Sequence, residues 1–321
     1  MKSKCIFVMI LAAFVVFFTA MNSYPANAAV PRLKLGAAGS GGTFYIWGAG
    51  WSSLINTLGK QEVSVQVTGG PQQNCQLLHQ GDVNLGFSTA FVASDAYTGK
   101  TTTEPYTDLR TLFPMYSSFL HIFTLEASGI NKLSDISGKH LATGTPGSSS
   151  EIVGNKIVRA LGLKPREISP ISLSNVIDGM KDGRIDAGFA VSNLPVPALV
   201  ELQTTHKVKY LELTKGELGK VMKSGAFTLG SIPANTYKNQ PNKMTTLTFW
   251  TLCLTTDKLP EDVAYNLTKA TFENVKKLGE SVGNVEEVVA KNVLSSPVPI
   301  HPGAAKYYKE IGIKIPANLI K

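Results

Sequence analysis

The sequence predicts an α/β protein of two similar lobes, each built on a mainly parallel sheet. Three observations predict it. Strand-like and helix-like segments alternate along the chain. The pattern G-x-[VI]-[ND]-x-G-F occurs twice, at Gly81–Phe87 and at Gly183–Phe189. About 293 residues remain once a leader is set aside, a length that suits two cores better than one.

The leader is residues 1–28. Lys2 and Lys4 form a positive start, Cys5 to Met21 is apolar, and Ala26-Asn-Ala28 has the small-x-small spacing of a cleavage site. A secretory signal peptide cleaved after Ala28 is expected. The apolar run is also about long enough for an uncleaved anchor. Cys5 opens the run and does not end it, which argues against a lipid-anchored cysteine. The mature chain is expected outside the cytoplasm.

The first element is the apolar stretch Leu33-Lys-Leu35, read as a strand. It runs into Gly36–Tyr45, GAAGSGGTFY, read as a glycine loop that opens a helix. A P-loop requires G-x-x-x-x-G-K-[ST]; Gly36 and Gly41 fit, but position 42 is Gly where Lys is needed. A dinucleotide fingerprint requires G-x-G-x-x-G; Gly39 and Gly41 fit, but position 44 is Phe. Glu62, about 20 residues on, opens the next strand, whereas the fingerprint acid belongs near that strand's end. What remains is a helix N-terminus, which attracts anions through its unpaired N–H groups and its dipole. A plain tight turn is the other reading of the same glycines.

Glu62–Val67 alternates with a period of two and reads as the second strand. A helix over Gln72–His79 follows, ended by Gly81, and Val83 is expected to start a short buried strand ending in Gly-Phe. The second half repeats the order. Gly144-Thr-Pro-Gly-Ser-Ser-Ser-Glu151 is its loop, and Glu151–Leu161 is its first helix, with apolar residues at 152, 153, 157, 158 and 161. A helix over Asn175–Lys181 then precedes Gly183 and Ile185. Each half would present a helix N-terminus at the carboxyl end of its strands, where open α/β sheets bind ligands. Facing across a cleft, the two ends would grip one anionic ligand from both sides.

Polar clusters fall on the same rim: Thr68–Asn74 after the second strand, and Ser88-Thr89 and Ser192-Asn193 after the two Gly-Phe strands. Hydroxyls and amides suit a carboxylate or polar solute without adding fixed charge. The candidate ligand residues are therefore Ser40, Gly41, Gly42 and Thr43 from the first loop and Thr145, Ser148 and Ser149 from the second. Thr68, Asn74, Ser88 and Ser192 complete the pocket, and Tyr45 either walls it or, on its helix, packs in the core.

Composition narrows the function. Of 31 Lys+Arg, 29 lie beyond the leader, against 23 Asp+Glu, a net charge of about +6. The positive residues are scattered, with no basic run interleaved with aromatics, so nucleic acid is not an expected partner. Cys75 and Cys253 could pair in an oxidising compartment, but two buried, unpaired thiols are the favoured expectation. The five histidines show no metal spacing, and Gly147-Ser-Ser-Ser-Glu151 fails the G-x-S-x-G elbow at its last position. Glu151 fits helix capping. His301, in a Pro-rich segment, fits a turn or packing role. With no nucleophile or base in a recognisable pairing, the expectation is a binding protein without catalysis, metal or cofactor.

Taken together, these residues resemble the TAXI solute receptors, the extracytoplasmic binding proteins of one class of TRAP transporters. The matching pieces include Gly39-Ser-Gly-Gly-Thr-Phe-Tyr45, Thr68-Gly-Gly70 with Asn74, Gly81-Asp-Val-Asn84, Leu133-Ser-Asp-Ile-Ser-Gly138 and Leu194-Pro-Val-Pro197. The most specific is Pro299-Ile-His-Pro-Gly-Ala-Ala-Lys-Tyr-Tyr-Lys-Glu310. The resemblance implies a two-lobed periplasmic-binding-protein fold, type II-like, with two crossover strands as the hinge. Leu120–Glu126 and Leu247–Thr255 are placed for the crossovers. Lobe 1 would be residues 29–126 plus 247–321, and lobe 2 residues 127–246. It also implies a monomeric periplasmic receptor that delivers a small acidic solute, such as glutamate or a related dicarboxylate, to a sodium-driven TRAP membrane permease. Two departures bear on the ligand. Relatives often carry Gln near Ser88, and none of the arginines at 32, 110, 159, 166 and 184 lies in a proposed binding loop. Backbone N–H groups and hydroxyls would have to hold a carboxylate. A receptor of an ATP-driven importer is the nearest alternative, and a secreted enzyme on the same fold a more distant one.

Overall fold

The computed structural model describes residues 30–40, 42–224, 227–283 and 285–320. The expected signal peptide, residues 1–28, and Gly41 of the first loop lie outside the described residues. The chain begins β1 Arg32–Gly36, α1 Thr43–Leu58, β2 Glu62–Gln66, α2 Pro71–Gln80, β3 Leu85–Thr89, α3 Ala90–Tyr97 and β4 Leu109–Leu125. It continues β5 His140–Ala142, α4 Ser149–Leu161, β6 Glu167–Ser169, α5 Leu173–Lys181, β7 Ala187–Ser192, α6 Pro197–Thr205, β8 Val208–Tyr210, α7 Lys215–Val221 and β9 Thr228–Ile232. It ends with β10 Met244–Thr256, α8 Glu261–Glu273, α9 Val275–Val282 and α10 Pro302–Glu310.

The strand order is β2-β1-β3-β10-β4-β7-β5-β6. The outer strands are parallel on both sides, β1 with β2 and β3, and β5 with β6 and β7. The long strands β4 and β10 run antiparallel to each other in the middle, where the two crossovers were expected. Their ladder breaks at Pro114, which faces Leu252 and has no N–H to give. Thr251 repairs the gap: its Oγ1 accepts from Tyr116 N–H at 3.1 Å and donates to Tyr116 O at 2.6 Å.

The repeated sequence is a repeated structure. Asn84 and Asp186 occupy matching places, and each exchanges bonds with the strand beside it. Asn84 Oδ1 accepts from Lys34 N–H at 2.9 Å, and Asp186 Oδ2 from His140 N–H at 2.8 Å. Their own N–H groups donate back to Lys34 O and His140 O. This side-chain clasp replaces one rung of the ladder. It explains why Val83 and Ile185, though buried, precede the strands, which begin two residues later than the sequence suggested. Gly48 on α1 and Gly154 on α4 also match. Each lets its helix lie close on a repeat phenylalanine, Phe87 or Phe189.

Aromatic packing fixes α1 on the sheet. Trp47 and Trp51 lie one turn apart, fully buried, against Phe87 and Phe113. Each such side chain stabilises the fold by roughly 1.5–3 kcal/mol. The C-terminal motif belongs to the scaffold. His301 Nδ1 accepts from Gly303 N–H and caps α10, as its turn-or-packing reading anticipated, and Pro302 takes the first helical position. A Cβ on Gly303 would collide with Glu261 O, so only glycine lets α10 touch α8. Tyr308 O–H then donates to Leu112 O of β4 at 2.8 Å. Cys75 and Cys253 are buried and unpaired, and burial pushes the Cys75 thiol up to about 11 against a small opposing effect of Ser88.

Candidate ligand-binding cleft

The site begins with Asn74, which is fully buried at the start of α2. Its Nδ2 donates to Ala37 O at 2.7 Å and to Phe87 O at 2.8 Å, and its Oδ1 accepts from Thr68 Oγ1 at 2.7 Å. One amide thus ties together the chain leaving β1, β3 and the loop after β2. Gly36 is required beside it, because a Cβ there would stand 2.7 Å from Asn74 Oδ1. Both Nδ2 hydrogens and one Oδ1 lone pair are used inside the chain, so Asn74 organises the loops.

The first loop then delivers α1. Its N-cap is Gly42, extended at φ −88°, with no side-chain cap and no acid in the first turn. Ser40 is exposed, and Thr43, at the first helical position, is half-buried. Tyr45 packs half-buried against the α1 core. In the second loop, Gly144 has φ +94°, and Ser148 Oγ caps α4 by accepting from Glu151 N–H at 3.2 Å. Glu151 Oε2 accepts from Gly147 N–H at 2.7 Å, so its carboxylate caps the α4 end, as its sequence position suggested. Thr145 is half-buried, and its carbonyl accepts from Ser148 N–H.

The fold brings the two loops' neighbourhoods into direct contact. Thr43 Oγ1 lies 2.9 Å from Ser192 Oγ and donates to Asn193 Oδ1 at 3.4 Å. Thr89 Oγ1 lies 3.2 Å from Ser149 Oγ, and Gln72 N–H points at Gly147 O across 3.4 Å. These links join residues before 126 to residues after 127. The hydroxyl that reaches across from β3 is Thr89's. Ser88, one residue earlier, faces the other side of the sheet, fully buried beside Cys75. Thr89, Asn193 and Gln72 lie in the polar clusters read from the sequence but outside the residues chosen there. Strand alternation was the usable signal, since Phe87 and Thr89 must share a face that Ser88 cannot.

Among the described residues the cross-links themselves are made by hydroxyls, an amide and main chain, and an ionisable side chain beside them is Glu151, on Gly147 N–H. Arg110, the one largely buried arginine, is used elsewhere, on Asp257 and the carbonyls of Thr107 and Leu109. Behind the Ser192 loop, His121 Nδ1 donates to Phe119 O at 3.0 Å, which leaves Nε2 to accept from Tyr237 O–H at 2.8 Å. Tyr237 Oη accepts in turn from Val196 N–H at 2.9 Å. Burial pushes His121 down to about 4, so this chain of bonds is neutral. Among the described residues, no group of three His, Cys, Asp or Glu side chains is placed to hold a metal ion. Also among them, no helix is long and apolar enough to cross a membrane.

Known structures place this architecture. MatC from Rhodopseudomonas palustris with bound malate aligns at TM-score 0.55 and 12% identity, over 88% of this chain and 99% of that one. The periplasmic binding protein BugD aligns at 0.54 and 16%, over 91% and 100%. A Xanthomonas citri protein bound to ATP aligns at 0.50 and 12%, over 87% and 95%. The fold is thus a mixed α/β fold shared with periplasmic binding proteins such as BugD. The model of the NMT1-like family matches residues 35–312, and the chain belongs to the NMT1-like family.

Proposed function

We propose that this protein is the periplasmic receptor of a TRAP-type transporter, of the TAXI class, for a small acidic solute such as glutamate or a related dicarboxylate. Lobe 1 is residues 29–126 with 247–321, lobe 2 is residues 127–246, and β4 and β10 form the hinge. The carrying observation is Thr43: the first residue of an uncapped helix stands within hydrogen-bond reach of Ser192 and Asn193 from the other half of the sheet. A carboxylate entering there meets helix N–H groups on one side and hydroxyls on the other. The helix end favours an anion by up to about 2 kcal/mol, and each neutral hydrogen bond adds about 1 kcal/mol. A solute that bridges both lobes favours closure by its differential affinity for the closed form. Ser40, Gly42 and Thr68 supply the near rim and Thr145 the far one, and Asn74 and Ser88 hold the near rim from beneath.

The test uses mature protein, residues 29–321, refolded free of carried-over solute. A thermal-shift panel of amino acids, dicarboxylates, 2-oxo acids and nucleotides comes first, then calorimetry. A shift with glutamate or a dicarboxylate is expected. Thr43→Val combined with Ser192→Ala should weaken that solute roughly 10- to 100-fold, the equivalent of one or two lost bonds. Unchanged affinity in the double variant, or a response to nucleotides alone, would defeat the assignment.

A further inference from the structure

The floor beneath the rim is set by where two strands stop. β3 ends with Thr89 opposite Thr251 of β10, and β7 ends with Ser192 opposite Phe119 of β4. In the gap between those ends, Ser117 of β4 and Trp250 of β10 pair with each other. Residues directly opposite one another share a face of the sheet, and successive residues alternate. Ser192, Phe119 and Thr248 are opposite one another in turn, so they share a face, and Ser117 and Trp250 join it two residues further on. Phe249, between Thr248 and Trp250, turns the other way and packs on Phe91 and Phe227. The start of α1 stands over the same place. Thr43 reaches Ser192, and the Phe44 ring meets Tyr116, the neighbour of Ser117, edge to face at 6.5 Å between centroids.

Two groups on this floor differ in chemistry from the hydroxyls around them. Trp47 and Trp51 are fully buried, whereas Trp250, the third tryptophan of the chain, is half-buried. Glu287, in the segment after α9, is exposed, and its Oε2 accepts from Ser117 N–H. That bond ties a carboxylate to the residue paired with Trp250. A carboxylate has about four acceptor positions, so one main-chain N–H fixes it in place without exhausting it. The face of an indole ring attracts a cation and repels an anion, because its quadrupole is negative there. Ring and carboxylate together therefore favour an ammonium group and oppose a second carboxylate. Two residues along a strand span roughly 7 Å, so one small molecule with a carboxylate at Thr43 can reach this floor with its other end.

We propose that Trp250 and Glu287 form a subsite for a cationic group, so that the solute is an amino acid and not a plain dicarboxylate. The inference rests on the receptor reading above and narrows it. It is tested by calorimetry on the same refolded protein with L-glutamate and with glutarate, which keeps both carboxylates and lacks the ammonium group. Wild type should bind L-glutamate about tenfold or more tightly than glutarate, and L-glutamate should change the tryptophan emission. Glu287→Gln keeps an acceptor for Ser117 N–H and removes the charge. It should weaken L-glutamate about tenfold and strengthen glutarate, opposite signs that a general disturbance of the cleft would not produce. Trp250→Leu should weaken L-glutamate severalfold, abolish the emission change and leave glutarate no weaker. Melting temperature reports whether Trp250→Leu folds; if it does not, Glu287→Gln, at an exposed position, decides. Glutarate bound by wild type as tightly as L-glutamate, or both weakened alike by Glu287→Gln, would overturn the subsite and leave the receptor reading intact. Wild type that binds neither compound, nor any other amino acid or dicarboxylate, would overturn the acidic-solute reading and the subsite with it.

Discussion

The two helix N-termini that open onto the rim come from matching places in the repeat, yet they end differently. Around them the scaffold is the same. Ala37 N–H donates to Gln66 O at the edge of β2, and Thr143 N–H to Ser169 O at the edge of β6. Gly48 and Gly154 sit five residues after Thr43 and Ser149, each over its own phenylalanine. At the ends themselves the likeness stops. The start of α1 has neither a side-chain cap nor an acid, whereas α4 is closed by Ser148 and by the carboxylate of Glu151. A repeated frame therefore yields one end open to an anion and one end already holding its own. Under the proposed function, the grip of two equal ends suggested by the sequence would become an unequal one, with α1 doing most of the attracting.

The sharpest way to break the likeness of the two frames is at the helix glycines. A Cβ on Gly154 would stand 2.7 Å from Phe189 Cδ2 and 3.2 Å from Thr143 Cβ, whereas one on Gly48 would meet Phe87 Cε2 at 3.2 Å. Overpacking of the first kind costs about 1–3 kcal/mol. The second is a few tenths of an ångström too close, and alanine's helix preference offsets about 1 kcal/mol of it. Urea unfolding should show Gly154→Ala losing about 2 kcal/mol or more while Gly48→Ala stays within about 1 kcal/mol of wild type. Equal losses would mean that the two helices do not rest on the sheet in the way described.

The difference at the ends is probed at Glu151. Glu151→Gln keeps an acceptor for Gly147 N–H and removes the charge. If the carboxylate opposes an acidic solute near the rim, affinity for that solute should rise severalfold, about 0.5–1 kcal/mol. The cost to stability should be of the same small size. Calorimetry with glutamate checks it, and an affinity that falls or stays level would show that the carboxylate does not oppose the solute.

Much of this frame is legible in the sequence. Periodicity placed β2 and α4 within two residues, and the G-x-[VI]-[ND]-x-G-F echo located β3, β7 and the helices before them. The clasp made by Asn84 and Asp186 was hidden, because a turn residue and a ladder acceptor look alike in sequence. So was the division of labour at the rim. Ser88 and Thr89 are chemically similar neighbours, and only the face on which Phe87 packs tells them apart. Asn74 looks like a polar contact in a glycine-rich loop until its three buried partners are seen. The C-terminal motif serves the scaffold, in line with the turn-or-packing reading of His301: its capping histidine, close-approach glycine and Tyr308 all serve the packing of α10 on α8 and β4.

The smallest expected effect distinguishes the far ends of the second helix in each repeat. His79, near the end of α2, corresponds to Lys181 at the end of α5, two residues before the glycine in both. Both are cations suited to a helix C-terminus, and both have acidic neighbours: Asp108 and Glu104 for His79, at 2.8 and 3.3 Å, and Glu201 for Lys181, at 3.9 Å. Only the histidine titrates near neutrality. The hydrogen bond to Asp108, helped by Glu104, raises its pKa above the ordinary 6.5 while burial pulls modestly the other way. A raised folded-state pKa means that the stabilisation is fully present below 6.5 and is lost as pH rises through the folded value. His79 and Asp108 are half-buried at the surface and Glu104 is exposed, so solvent screening should hold the contribution to about 1 kcal/mol. The stability difference between wild type and His79→Gln should therefore be larger at pH 5.5 than at pH 8.5, while that for Lys181→Gln stays level. Salt should shrink both differences. A His79 difference that does not change with pH would mean that the ring is held by its stacking on Tyr106, at 4.2 Å, and that charge contributes nothing.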